Sequence, residues 1–183
     1  MFTITREIGI DAGHRIQDHG SKCRNPHGHR YTIQAVCEGQ ELHDTGEQTG
    51  MLLDFGFLKE EMMDKIDKPC DHGTILKYDD PLLRPMLIAG GAIPELIDNA
   101  VKWLINRKFS GEPDAVSTVE AKGLGDLKMY IVDFTPTAEN LAKHWYFLLE
   151  PRVKARSATK ARLRQIIVWE TPNCAAAYPA VGT

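Results

Sequence analysis

The sequence predicts an α+β fold, and three observations carry that prediction. Apolar and polar residues alternate near both ends of the chain, which is the two-residue period of a half-buried strand. Between those stretches apolar residues recur three and four apart, the period of a helix with one buried face. The chain has 183 residues, 43% hydrophobic and 26% charged, so it is long and apolar enough to bury one sizeable core.

Phe2 to Ile10 is rich in β-branched and apolar residues and predicts a strand that ends at Gly13-His14. Arg15 to Asn25 is polar, with Gly20 and Ser21, and predicts a loop carrying Cys23. Tyr31, Ile33 and Ala35 alternate with Thr32 and Gln34 in a second strand, opened by His29 and pairing with the first as an antiparallel hairpin. Gly39 to Gly50 reads as a polar turn. Asp54 is a good N-cap for a helix whose buried stripe is Phe57, Leu58, Met62 and Ile66. Cys70-Asp71-His72-Gly73 is a short polar turn.

Pro81, Pro85, Gly90-Gly91 and Pro94 break the next part, and Ile93, Leu96, Ile97, Ala100, Val101, Leu104 and Ile105 mark an amphipathic helix that stops near Lys108. Phe109 to Gly125 reads as a surface loop and Lys128 to Phe134 as a short strand. Thr135 can cap a further helix, with Pro136 at its first position, Glu139 complementing the dipole, and Leu141, Trp145, Leu148 and Leu149 buried. Six basic residues without an acid follow between Pro151 and Arg164. They form either a solvated face or a surface for phosphate. Ile166, Val168 and Glu170 share one face of a last strand.

With 22 basic and 25 acidic residues the formal net charge is −3, so no basic field invites nucleic acid or an anionic membrane. The expected partner is a small molecule or another copy of the chain. No targeting segment opens the sequence and no apolar run is long enough to span a bilayer, which predicts a cytoplasmic protein. Four scattered cysteines make no disulfide framework.

The chemistry concentrates in Cys23-Arg24-Asn25-Pro26-His27-Gly28-His29. In an extended segment His27 and His29 point the same way and offer two imidazoles to one metal ion, with Gly28 leaving the gap uncrowded. His14 supplies a third, and three neutral histidines suit a zinc that keeps its fourth position open. Cys23 is then either a thiolate base or nucleophile beside the metal, or a fourth ligand closing a structural site. The Glu170 carboxylate is either solvated or an acceptor for paired N–H groups of a flat heterocycle.

His14, Cys23-x3-His27-x-His29, Gly50-Met51-Leu52-Leu53-Asp54-Phe55, Asp71-His72, Pro136-Thr137-Ala138-Glu139-Asn140 and Glu170-Thr171, in that order, resemble the 6-pyruvoyl-tetrahydropterin synthase superfamily over nearly the whole chain. Three residues between the cysteine and the first histidine resemble its 6-carboxy-5,6,7,8-tetrahydropterin synthase branch in queuosine (7-deazaguanine) biosynthesis. The resemblance implies a T-fold, an antiparallel four-stranded sheet with two helices on one face, here one domain over 1–183 with an inserted helix and loop at about 81–125. It implies a homo-oligomer, hexamer or tetramer, with active sites between subunits. It also implies Zn²⁺ on His14, His27 and His29, Cys23 as proton-abstracting base, and Asp71 with His72 as an acid-base pair from a neighbouring subunit. Glu170 would hold the pterin ring, with Thr137 and Glu139 nearby. The implied substrate is 7,8-dihydroneopterin triphosphate, and no nicotinamide or flavin is needed. The alternatives are the pyruvoyl synthase activity on the same substrate and a non-catalytic, zinc-stabilised pterin-binding module.

Overall fold

The computed structural model describes residues 1–109, 119–120 and 127–179. Strands β1 (Phe2–His14) and β2 (His27–Gly39) form the expected hairpin, but each is 13 residues long, and β1 runs through Gly13 to His14 itself. Their register sets His14 opposite His27 and Ala12 opposite His29. Strand β6 (Arg162–Thr171) pairs with β2, and β7 (Cys174–Tyr178) pairs with β6, all antiparallel. Where Val36 and Cys37 meet Gln165 and Leu163, β6 carries Arg164 as an extra residue. That bulge shifts the side-chain parity, so Leu163 and Ile166 both point inward and are buried.

The helices on this face start where local chemistry allows. Asp54 caps α1 (Phe55–Met62) by accepting from the Gly56 N–H, and the helix continues through a π-turn, Met63–Asp67, into α2 (Lys68–Cys70). The long helix α5 (Ala138–Arg156) is capped by Thr137, whose hydroxyl accepts from Asn140 N–H at 3.4 Å. This corrects the expected cap at Thr135 and places Pro136 before the helix rather than at its first position. Leu58, Met62, Ile66, Leu141, Trp145 and Leu149 are fully buried against Ile10, Tyr31, Ile33, Ile166 and Val168.

The sheet departs from the four antiparallel strands expected. Among the described residues it has seven, in the order β4-β5-β3-β1-β2-β6-β7. Strand β3 (Gly73–Lys77) lies parallel to β1, and β5 (Met129–Val132) parallel to β3. The short strand β4 (Val119–Glu120) pairs antiparallel with β5. The reason is a second apolar layer. Helix α3 (Leu83–Ala89) and helix α4 (Pro94–Phe109) bury Leu83, Leu87 and Ile97 against Leu76, Met129 and Ile131. The neighbouring strand residues Ile75, Tyr130 and Val132 belong to the main core. Successive side chains on a strand face opposite ways, so α3 and α4 pack on the other side of β3 and β5 from α1 and α5. The expected loop from Phe109 to Gly125 lies outside the described residues, apart from Phe109, which ends α4, and the two residues of β4.

A candidate metal centre at the open end of the core stripe

Three inward-facing stripes end in polar groups at the same edge of the core. On β1, Ile8, Ile10 and Ala12 lead to His14. On β2, Ala35, Ile33 and Tyr31 lead to His29 and His27. On β6, Ile166 and Val168 lead to Glu170. The same two-residue period that buries the apolar side chains therefore collects three imidazoles and a carboxylate.

The ligand atoms of His14, His27 and His29 lie within 4.8 Å of one another. His14 Nδ1 is 2.8 Å from the Pro136 carbonyl and His27 Nδ1 is 2.8 Å from the Asn25 carbonyl. A carbonyl oxygen only accepts, so both Nδ1 atoms carry the proton and donate, and both Nε2 atoms present lone pairs. Those two Nε2 atoms face each other at 3.2 Å. Two lone pairs at that distance repel unless a cation lies between them, and the carbonyl contacts are the outer-shell bonds that metal-ligating histidines make. The donor set therefore fits a divalent metal that accepts imidazole, zinc included. Cys23 is outside this cluster of ligand atoms, which favours three protein ligands over a closed four-ligand site.

His14 is only 2% exposed, and burial lowers its pKa to about 4 against the opposing Pro136 hydrogen bond. His144, held to the Tyr130 hydroxyl at 2.8 Å, is likewise lowered to about 4 by burial. Folded histidines that refuse protons accepted by the unfolded chain raise stability with pH between those folded values and the ordinary 6.5. The metal-free protein is thus expected to lose stability as pH falls from 6.5 to about 4, by up to ~1.4 kcal/mol per pH unit for each histidine. Above 6.5 these two groups leave stability unchanged. Urea midpoints of the metal-free protein at pH 7 and pH 5 test this, and equal midpoints would contradict it.

A cleft of about 240 Å³ opens beside the histidines. His14, His27, Cys23, Thr137, Glu139 and Glu170 all line it, so the structure brings together six of the nine residues singled out from the sequence, with His29 completing the metal cluster. Glu170 Oε1 is 3.9 Å from His14 Nε2. Cys23 is half-buried in a short 3₁₀ turn, Lys22–Arg24. His19, Ile16, Cys174 and Ala175 also line the cleft, and sequence reasoning missed them because a loop histidine and an alanine-rich strand carry no motif.

Asp71 and His72 do not line this cleft. They sit where α2 meets β3, at the edge of β1. Asp71 accepts from the Asp11 N–H at 2.8 Å, His72 N–H donates to the Asp11 carbonyl at 2.7 Å, and His72 Nδ1 lies 2.7 Å from Asp71 Oδ2. Burial pushes the Asp71 carboxyl up, but the Asp11 N–H and His72 outweigh it and hold it below its ordinary value. His72 is exposed and its φ is +55°, a conformation non-glycine residues seldom adopt. The basic run after Pro151 does not line the cleft either. Arg162 and Arg164 pair with Glu38, Lys160 donates to the Leu42 carbonyl, and Arg156 lies over the Phe57 ring. The phosphate reading of that run has no support in this placement. No helix among the described residues is long and apolar enough to cross a membrane.

A family model described as 6-pyruvoyl tetrahydropterin synthase matches residues 3–180. A Haemophilus influenzae protein named 6-carboxy-5,6,7,8-tetrahydropterin synthase is 37% identical over 178 residues, covering 97% of this chain and 99% of its own. A Rickettsia conorii protein of the same name is 29% identical, covering 95% and 97%. Among solved structures, an uncharacterized protein from Wolinella succinogenes superposes with a TM-score of 0.67 at 22% identity, covering 96% of each chain. The Caenorhabditis elegans 6-pyruvoyl tetrahydropterin synthase superposes at 0.52 and 18% identity, covering 98% of this chain and 96% of its own. These two establish likeness of fold, and so agree with an α+β T-fold whose sheet is here extended.

Proposed function

The chain belongs to the 6-pyruvoyl tetrahydropterin synthase family, and from that premise we propose that it is a zinc-dependent 6-carboxy-5,6,7,8-tetrahydropterin synthase. Its substrate is 7,8-dihydroneopterin triphosphate, and with water the products are 6-carboxytetrahydropterin, acetaldehyde and triphosphate, a lyase step in cytoplasmic 7-deazaguanine (queuosine) biosynthesis. The observation that carries the reading is the facing pair of Nε2 lone pairs in a cleft that also holds a thiol and a carboxylate. The names of the relatives support the carboxy product over the pyruvoyl one.

When bound, zinc would polarise the hydroxyls of the substrate side chain and stabilise the negative charge that develops as protons leave carbon. His14, His27 and His29 would hold it, the first two with their tautomers set by backbone carbonyls. The remaining chemistry falls to the chain. Cys23, on the cleft wall, accepts the proton taken from the side-chain carbon. Glu170 accepts paired N–H bonds from the pterin 2-amino group and ring nitrogen, and fixes which carbon faces Cys23. Thr137 and Glu139, at the start of α5, border the same ring. Asp71 and His72 of a neighbouring copy complete proton transfer in a homo-oligomer, a hexamer or tetramer.

Incubation of the zinc-loaded protein with 7,8-dihydroneopterin triphosphate tests this, read by mass spectrometry of the pterin and an assay for acetaldehyde. Carboxytetrahydropterin with acetaldehyde is expected. Pyruvoyl-tetrahydropterin alone would assign the sister activity. A folded, zinc-bound oligomer without turnover would leave a pterin-binding module.

A further inference from the structure

The carbonyl that orients His14 belongs to a turn with an unusual clasp. The Thr137 N–H donates to the Thr135 carbonyl at 2.8 Å, a three-residue turn centred on Pro136. The proline ring supplies the φ near −70° that such a turn requires. A single i→i+2 bond is a weak closure. Here the same Thr135 oxygen accepts a second donor, Asn140 Nδ2, at 2.9 Å. The Asn140 backbone N–H is itself tied to Thr137 Oγ1. Asn140 thus grips both sides of the turn, and the central carbonyl, that of Pro136, is aimed at His14 Nδ1.

We infer that Asn140 is a positioning residue for the metal. Its amide holds the Thr135–Thr137 turn in the one arrangement that points the Pro136 carbonyl at His14, and so keeps the proton on Nδ1 and the Nε2 lone pair on the metal. Removing the amide leaves a γ-turn free to open. The Pro136 peptide then rotates away, the buried His14 ring loses the backbone acceptor of its Nδ1–H, and its tautomer and orientation are no longer set. Loss of an outer-shell partner typically weakens metal binding by about 10–100-fold.

The inference rests on the three-histidine metal site of the proposed function and on no step of its reaction. Metal-free wild type, Asn140→Ala and Asn140→Asp are titrated with Zn²⁺ against a chromophoric chelator, well below their melting temperatures. Asn140→Asp retains the side-chain shape while removing both amide donors, and serves if the alanine variant does not fold. Both variants are expected to bind one Zn²⁺ per protomer about 10–100-fold more weakly than wild type. The visible spectrum of the Co²⁺-loaded variants should differ from that of wild type, which a helix-capping role alone would not produce. Folded variants with wild-type Zn²⁺ affinity and an unchanged Co²⁺ spectrum would overturn the role of Asn140 alone. Absence of stoichiometric Zn²⁺ binding by wild type would overturn the metal reading and this inference with it.

Discussion

Cys23→Ala is expected to fold, to bind one zinc per protomer, and to lose turnover by ~10²–10⁴-fold, the usual contribution of a general base. The structural role at this position belongs to the backbone: the Cys23 carbonyl accepts from the Ile16 N–H at 2.8 Å and so closes the loop between β1 and β2. An alanine keeps that bond. The side chain is half-buried on the wall of an open cleft rather than in the core, so truncation leaves no sealed cavity. Zinc content by elemental analysis, thermal melting and product formation, taken together, separate the possibilities. Loss of zinc together with activity would make Cys23 a ligand and the site a closed one. Turnover close to wild type would remove Cys23 as the base.

The clustering of the three histidines was legible because strand periodicity and their spacing coincide. His27 and His29 share a face for the same reason that Tyr31, Ile33 and Ala35 do, and His14 falls in register across the hairpin. Glu170 was legible as the polar end of the Ile166–Val168 stripe. The carbonyls of Asn25 and Pro136 were not, since a backbone acceptor leaves no trace in residue type. The extended sheet was legible only in part. Met129–Val132 falls within the short strand read over Lys128 to Phe134, but it is buried on every residue because helices cover both sides, so no alternation showed which layers it lies between. Gly73–Lys77 follows directly on a polar turn, and the alanines of β7 have weak strand preference and are held by pairing with β6. Helix α3 contains Pro85 within its first turn, where the missing N–H costs little. Read as a breaker, that proline conceals the helix.

The separation of Asp71 and His72 from the cleft yields the second large effect. The pair has the hydrogen bonding of an acid-base dyad, and its carboxylate is held ionised by the Asp11 N–H and His72 against the effect of burial. Both residues are fixed to β1 through Asp11, so neither can swing to Cys23 without breaking the parallel pairing of β1 with β3. If the dyad serves catalysis, the site it serves is on another copy. Cys23→Ala and His72→Ala homo-oligomers are each expected to be nearly inactive, by ~10²-fold or more. Co-expressed, or mixed through a dissociated state, they are expected to give a clearly active protein, because some interfaces then join an intact Cys23 to an intact His72. If the dyad acted within its own protomer, every subunit of the mixture would still carry one defect and no activity would return. Mixed oligomers that form and remain inactive would therefore sink the shared-site reading. A fully active His72→Ala homo-oligomer would remove the dyad from the mechanism while leaving the metal centre and Cys23 untouched.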